Sequence, residues 1–383
     1  MVLGVVLLMA LPVSVVQGDS HEAASIGTAV ISDFAHDSAA ATNGTITYIL
    51  TDLPAPAADK AYEGWLISDD GSVKLSTGVM EVASDGSVHH HYTSPTGDDL
   101  IAGYDKVVIT EEPVPDDDAG PSDVVLYSYQ VPTGAMTHIR HLLTAWPTDG
   151  TSGILTNLKV QLDAAIAHAT LASNSTDLDT VKQHAHHVIN ILEGTDGTNY
   201  DASFDDPGDG VGAINHAIDR SHGPLAAAAA EGDEVIAAGA ALVDIAGKNA
   251  EDWATQARDV AVNNVVAATD IVLAKIFLGP GGNTVVSLLE AARNGLDADG
   301  DDTIASIAGE SGAQQAYVDA QTMATYTLSA GATLTDTEPT PDPPEVGDPS
   351  IPRLASLALI AGLVLLGGGS VLLVRSRRSR ARA

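Results

Sequence analysis

The feature that most constrains this chain is a change of hydrophobic period near residue 134. Before it, apolar residues recur at every second position in short runs. Thr45-Ile-Thr-Tyr-Ile-Leu50, Tyr62-Glu-Gly-Trp65-Leu-Ile-Ser68, Val73 to Val79, Val88-His-His-His-Tyr92, Lys106-Val-Val-Ile-Thr110 and Val124 to Tyr129 are such runs. A period of two places alternate side chains on one face of a strand. Ser68-Asp-Asp-Gly71 and Ser84-Asp-Gly86 are turn signals between them. Several short strands at this spacing predict an antiparallel β-sandwich over residues 19–133. From Met136 onward Ala becomes abundant and the period lengthens, which predicts an α-helical bundle over 134–328. The expected fold class is α+β and multidomain, with helices at 136–146, 152–172, 177–193, 211–230, 233–247, 249–277, 284–294 and 311–328. Gly194 is read as the stop of the third helix, and Ser175-Thr-Asp177 as its cap.

The two ends carry their own signals. Residues 2–16 are an uncharged apolar run, read with 1–18 as a signal peptide. Pro339 to Pro352 holds six prolines, and 329–352 reads as an extended stalk. Residues 354–374 are 21 uncharged positions, which as a helix would span about 30 Å, the thickness of a bilayer core. Five Arg follow between Arg375 and Arg382. The positive-inside rule then predicts a single transmembrane helix at 353–375, a cytoplasmic tail at 376–383 and an extracytoplasmic bulk.

Charge narrows the partners. The chain has 51 acidic and 17 basic residues, a net charge of −34, and six of the basic residues lie at Arg353 and beyond. So acidic a body repels nucleic acid and anionic surfaces and attracts cations. Cys is absent, which removes disulfides, thiolate metal sites, Cys nucleophiles and c-type haem. No HExxH, GxSxG, P-loop or dinucleotide fingerprint occurs, and no enzymatic activity is predicted.

Histidine is the remaining chemistry. His138 and His141 stand three apart in one predicted helix, His184 and His187 three apart in another, and His168 closes the helix between them. Imidazoles at helical spacing on facing helices can bind zinc, copper or iron, and a b-type haem is conceivable. Asp163 and Glu193 are candidate carboxylate partners of such a site. The competing reading is a set of packed His bonded to backbone or to Asn190. His186 points away with Lys182 and reads as solvated. His89-His90-His91 reads as a polar exposed strand, or less simply as a metal patch, and Trp65 reads as core. The sequence also repeats at an offset of 54: His168 matches His222, Val181 matches Val235 and Val188 matches Leu242, while His184 and His187 match Ala238 and Ala241.

Two acidic loops suggest calcium. Asp297, Asp299 and Asp301 sit at positions 1, 3 and 5 of an EF-hand-like loop, with Thr303 at 7. Asp302 stands where Gly is usual, and Glu310 is the nearest substitute for the closing Glu. Asp201 to Gly210 is a second, less ordered candidate.

Tyr62-Glu-Gly-Trp-Leu-Ile, Ser76-Thr-Gly-Val, Ala83-Ser-Asp-Gly-Ser-Val and Gly103-Tyr-Asp-Lys-Val-Val-Ile-Thr-Glu-Glu-Pro113 resemble the extracytoplasmic C-terminal domain of anti-sigma-K factors. The resemblance covers about residues 60–133. It implies a β fold outside the membrane, behind a cytoplasmic helical segment that holds the sigma factor. This chain shows no such segment ahead of its β region. Runs like His138-Ile-Arg-His-Leu-Leu and His184-Ala-His-His-Val-Ile-Asn-Ile accompany such domains in some bacterial surface proteins, with no activity attached. The function these signals predict is a membrane-anchored extracytoplasmic sensing or binding protein with an unidentified ligand or protein partner. The alternatives are an anti-sigma factor whose true start lies upstream, and a His-dependent metal or haem redox protein.

Overall fold

The computed structural model describes residues 25–33, 43–146, 152–223, 226–227 and 234–330. The first half supplies seven strands: β1 (Ser25–Ser32), β2 (Thr45–Leu50), β3 (Lys60–Ile67), β4 (Lys74–Met80), β5 (Val88–Thr93), β6 (Lys106–Pro113) and β7 (Val125–Gln130), with a short helix α1 (Leu100–Gly103) before β6. Helices follow: α2 (Thr133–Leu143), α3 (Ile154–Asn174), α4 (Leu178–Glu193), α5 (Ala213–Asp219) with a 3-10 turn at Arg220–His222, and α6 (Glu234–Val260). A π-helical turn, Ala261–Val266, extends α6; then come α7 (Ile271–Ile276), α8 (Val285–Asn294) and α9 (Ala313–Met323). The chain returns to the sheet as β8 (Thr325–Ala330).

This last strand corrects the expected fold class. All eight strands form one antiparallel sheet in the order β4-β3-β6-β7-β8-β1-β2-β5. β8 lies between β7 and β1, with Ala29 opposite Tyr326 and Ser128 opposite Ser329. The helices are therefore an insertion between two strands of one sheet, and there is no separate sandwich followed by a separate bundle. The sheet curls until its edge strands meet. The Tyr48 hydroxyl (β2) lies 3.1 Å from Thr77 Oγ1 (β4), and His90 Nε2 (β5) lies 2.8 Å from the Thr77 carbonyl. Side chains thus bridge a gap that no strand ladder closes among the described residues. His90 is spent on this contact, while His89 and His91 face solvent.

Inside the curl lie Ile31, Ile46, Tyr48, Leu50, Leu66, Val107, Ile109, Tyr326 and Leu328, all essentially inaccessible. They belong to one apolar cluster that continues without a break into the helices. Trp65 is indeed buried, on the opposite face with Ile67 and Val108, and its indole N–H donates to Thr110 Oγ1 at 2.9 Å. Polar ties reinforce the junction of sheet and helices. The Arg140 guanidinium of α2 forks onto Asp69 at 2.5 and 2.7 Å and donates to the Ile101 carbonyl at 2.8 Å. Gln321 of α9 donates to Asn43 Oδ1 at 2.8 Å, and the Tyr317 hydroxyl donates to Asp33 Oδ1 at 3.3 Å.

The membrane assignment is corrected as well. Among the described residues no helix is long and apolar enough to cross a membrane. The expected leader at 1–18, span at 353–375 and tail at 376–383 lie outside the described residues, as does the expected stalk apart from 329 and 330, which belong to β8. The described residues thus supply no membrane-spanning helix to support the single-pass assignment.

Candidate functional site

Two groups of three histidines stand in the helical part, where one group of five was expected. The first joins His168 of α3 to His184 and His187 of α4. Asp177 caps α4 by accepting from the Thr180 N–H at 2.8 Å, and Gly194 ends it with a backbone φ of 67°. Between these marks the i, i+3 spacing puts His184 and His187 on the side that faces α3. His168 Nδ1 lies 3.2 Å from His184 Nδ1 and 3.2 Å from His187 Nδ1. One ring nitrogen carries either a proton or a lone pair, so His168 Nδ1 can donate to only one neighbour or must share a single lone pair between both. A metal ion about 2.0–2.1 Å from each nitrogen would satisfy all three, and tetrahedral ligands then stand about 3.3 Å apart. Such a spacing suits a single ion better than the macrocycle of a haem.

The electrostatics favour neutral imidazoles. His168 and His187 are held below the ordinary imidazole range, chiefly by burial and then by the neighbouring rings. Asp205 and Asp206, on the loop after α4, pull His187 the other way but do not prevail. His187 Nε2 is buried without a hydrogen-bond partner. That loop is moored to α4: Asn190 Nδ2 donates to the Asp201 carbonyl at 3.1 Å, and His186 stacks on Phe204 at 4.0 Å. His186 is therefore half-buried against Phe204 instead of solvated. Asp201 caps its own turn by accepting from the Ser203 N–H and hydroxyl.

The second group joins His138 and His141 of α2 to His222 of the 3-10 turn. Gly223 allows this approach, because a Cβ there would lie 2.4 Å from Leu142 Cγ of α2. Arg220 fixes the turn from the other side, lying across Gly247 of α6 with Glu251 3.1 Å from its guanidinium. Ser152 and Leu143 tie the end of α2 to the start of α3, whereas His168 lies near the far end of α3. The two groups are thus separated along α3, and His138 and His141 do not join His168.

The expected carboxylate partners are engaged elsewhere. Asp163 pairs with Arg293 at 2.9 Å, and Glu193 with Arg258 and Asn199. The calcium loop is only partly assembled as predicted. Asp297, Asp299 and Glu310 bring one oxygen each within 4.8 Å of the others, while Asp301 accepts from Thr303 instead. Asp297 also accepts from the Gly300 N–H at 2.6 Å and the Asp302 N–H at 3.0 Å, the bonds of a plain acidic turn. Asp302 adopts φ 66°, the left-handed region that the usual Gly would enter freely.

His222 had one signal in the sequence, its match to His168 at the offset of 54. The match is not a packing repeat. Val181 and Val188 are inaccessible, whereas their counterparts Val235 and Leu242 are 39% and 37% exposed.

Comparison with known families gives one result. Residues 8–136 match the model of the family described as anti-sigma-K factor rskA, C-terminal. The match ends within α2 and so takes in the strands up to β7, without the helical insertion or β8. No curated protein and no solved structure matches the chain.

Proposed function

We propose that this chain is a regulatory binding protein whose helical insertion holds a transition-metal ion on His168, His184 and His187. The observation that carries the reading is the approach of two imidazole nitrogens to His168 Nδ1, which has one proton or one lone pair to offer both, with all three rings turning a ligand atom to within 4.8 Å of one another. Neutral imidazole suits zinc, copper and iron alike, so the donor set does not choose among them. Three protein ligands leave a fourth position for water or a small ligand, the arrangement of exchangeable or reactive sites rather than closed structural ones. The negative charge of the chain draws cations toward it. The likeness of residues 8–136 to the anti-sigma-K C-terminal domain supports a second reading, in which the chain works in a regulatory system that includes a sigma factor without the sheet itself holding it.

The test is calorimetric titration of the metal-stripped chain with Zn²⁺, Cu²⁺ and Fe²⁺, beside a His184→Ala/His187→Ala variant. The wild-type chain is expected to bind one ion more than the variant, with a rise in Tm that the variant lacks. Equal stoichiometry in both would remove the metal reading. Titrating the same chain with candidate sigma factors tests the partner separately.

A further inference from the structure

We infer that His138, His141 and His222 form a second transition-metal site, independent of the first and read out by Trp146. The three rings close a triangle, with centroids 5.6, 5.2 and 5.4 Å apart. Each turns one ligand nitrogen to within 4.8 Å of the others. His138 Nδ1 and His141 Nδ1 are buried without a hydrogen-bond partner. A buried polar atom left unpaired is destabilising, and an ion ligated by such a lone pair would relieve it. His222 is exposed, so an ion can enter from solvent without opening the fold.

The surroundings differ from those of the first group. The Trp146 indole lies 4.9 Å from His222 and 5.3 Å from His141, with its own N–H unpartnered. An ion held by these rings therefore sits close to the indole, which would report a paramagnetic ion by loss of fluorescence. The ligand class is a first-row transition ion that accepts neutral imidazole, with an open coordination position toward solvent. Binding would also clamp the 3-10 turn onto α2, the helix that Arg140 ties to the sheet.

The experiment is Cu²⁺ titration of the full chain carrying His184→Ala/His187→Ala, so that the first group is removed and its failure cannot be confused with failure of this one. Tryptophan fluorescence should fall in a saturable step of one equivalent. Adding His222→Ala, an exposed change that leaves the core intact, should abolish that step, and Trp146→Phe should leave binding by calorimetry but remove the quench. Either result contradicted would overturn the assignment: no saturable step, which makes the rings an aromatic cluster only, or a step unchanged by His222→Ala.

Discussion

At the scale of the residue, protons and metal compete for the same lone pairs. His138, His141, His168 and His187 are all held below the ordinary imidazole value, with burial the first cause in each. A depressed value means the folded chain binds protons less readily than the unfolded one. These residues therefore leave stability intact above about pH 6.5 and subtract from it as pH falls below that. Asp99 works in the opposite sense: burial raises its carboxyl to about 6, so the folded form gains as pH drops from about 6 toward 4. The two contributions overlap, and only a difference measurement separates them. Tm measured from pH 8 to pH 5 without metal should fall more steeply for the wild-type chain than for His168→Ala. Parallel curves would mean that the first group does not titrate as a buried cluster.

At the scale of the element, α4 shows what was legible beforehand and what was not. Its cap at Asp177, its stop at Gly194 and its i, i+3 histidine pair all follow from local rules, and the structure keeps them. Six of the strands follow equally from their period of two. β8 escaped because only Ala324 separates it from α9, so Tyr326 and Leu328 read as the tail of a helix although they alternate like a strand. β1 escaped because Gly27 interrupts its apolar run at a bulge. The division of the histidines into two groups was not legible at all. It depends on a 3-10 turn whose position is set by Gly223 and Arg220 through contacts far away in sequence. Gly194 offers a test of how rigidly α4 must end. Its φ of 67° with ψ near 179° is a region open essentially to glycine, and a Cβ there would stand 2.2 Å from the Val211 carbonyl oxygen. Gly194→Ala should cost at least about 1–3 kcal/mol of stability, measured by urea unfolding, and should loosen the loop beside His187. A change below about 0.5 kcal/mol would show that the loop after α4 yields freely.

At the scale of the molecule, β8 holds the sheet together. Remove it and the pairing order falls into β4-β3-β6-β7 and β1-β2-β5, with two unpaired edges facing each other. β8 also buries Tyr326 and Leu328 completely. At roughly 1.5–3 kcal/mol each, their burial is comparable to much of the roughly 5–15 kcal/mol by which an ordinary domain is stable. A chain ending at Ala324 should lose its cooperative thermal transition and aggregate, as followed by near-ultraviolet circular dichroism and light scattering. A soluble, cooperatively melting product would show that the rest of the sheet suffices.

The same strand sets a timetable for synthesis. Ribosomes add about 5–20 residues per second, so the gap of almost 300 residues between β1 and β8 corresponds to tens of seconds of translation. Once β7 is made, the borders of both β1 and β7 stay unsealed for roughly the last two thirds of that interval. Ribosome-bound chains stopped before Thr325 are therefore expected to bind a holding chaperone more strongly than chains that include Ala330.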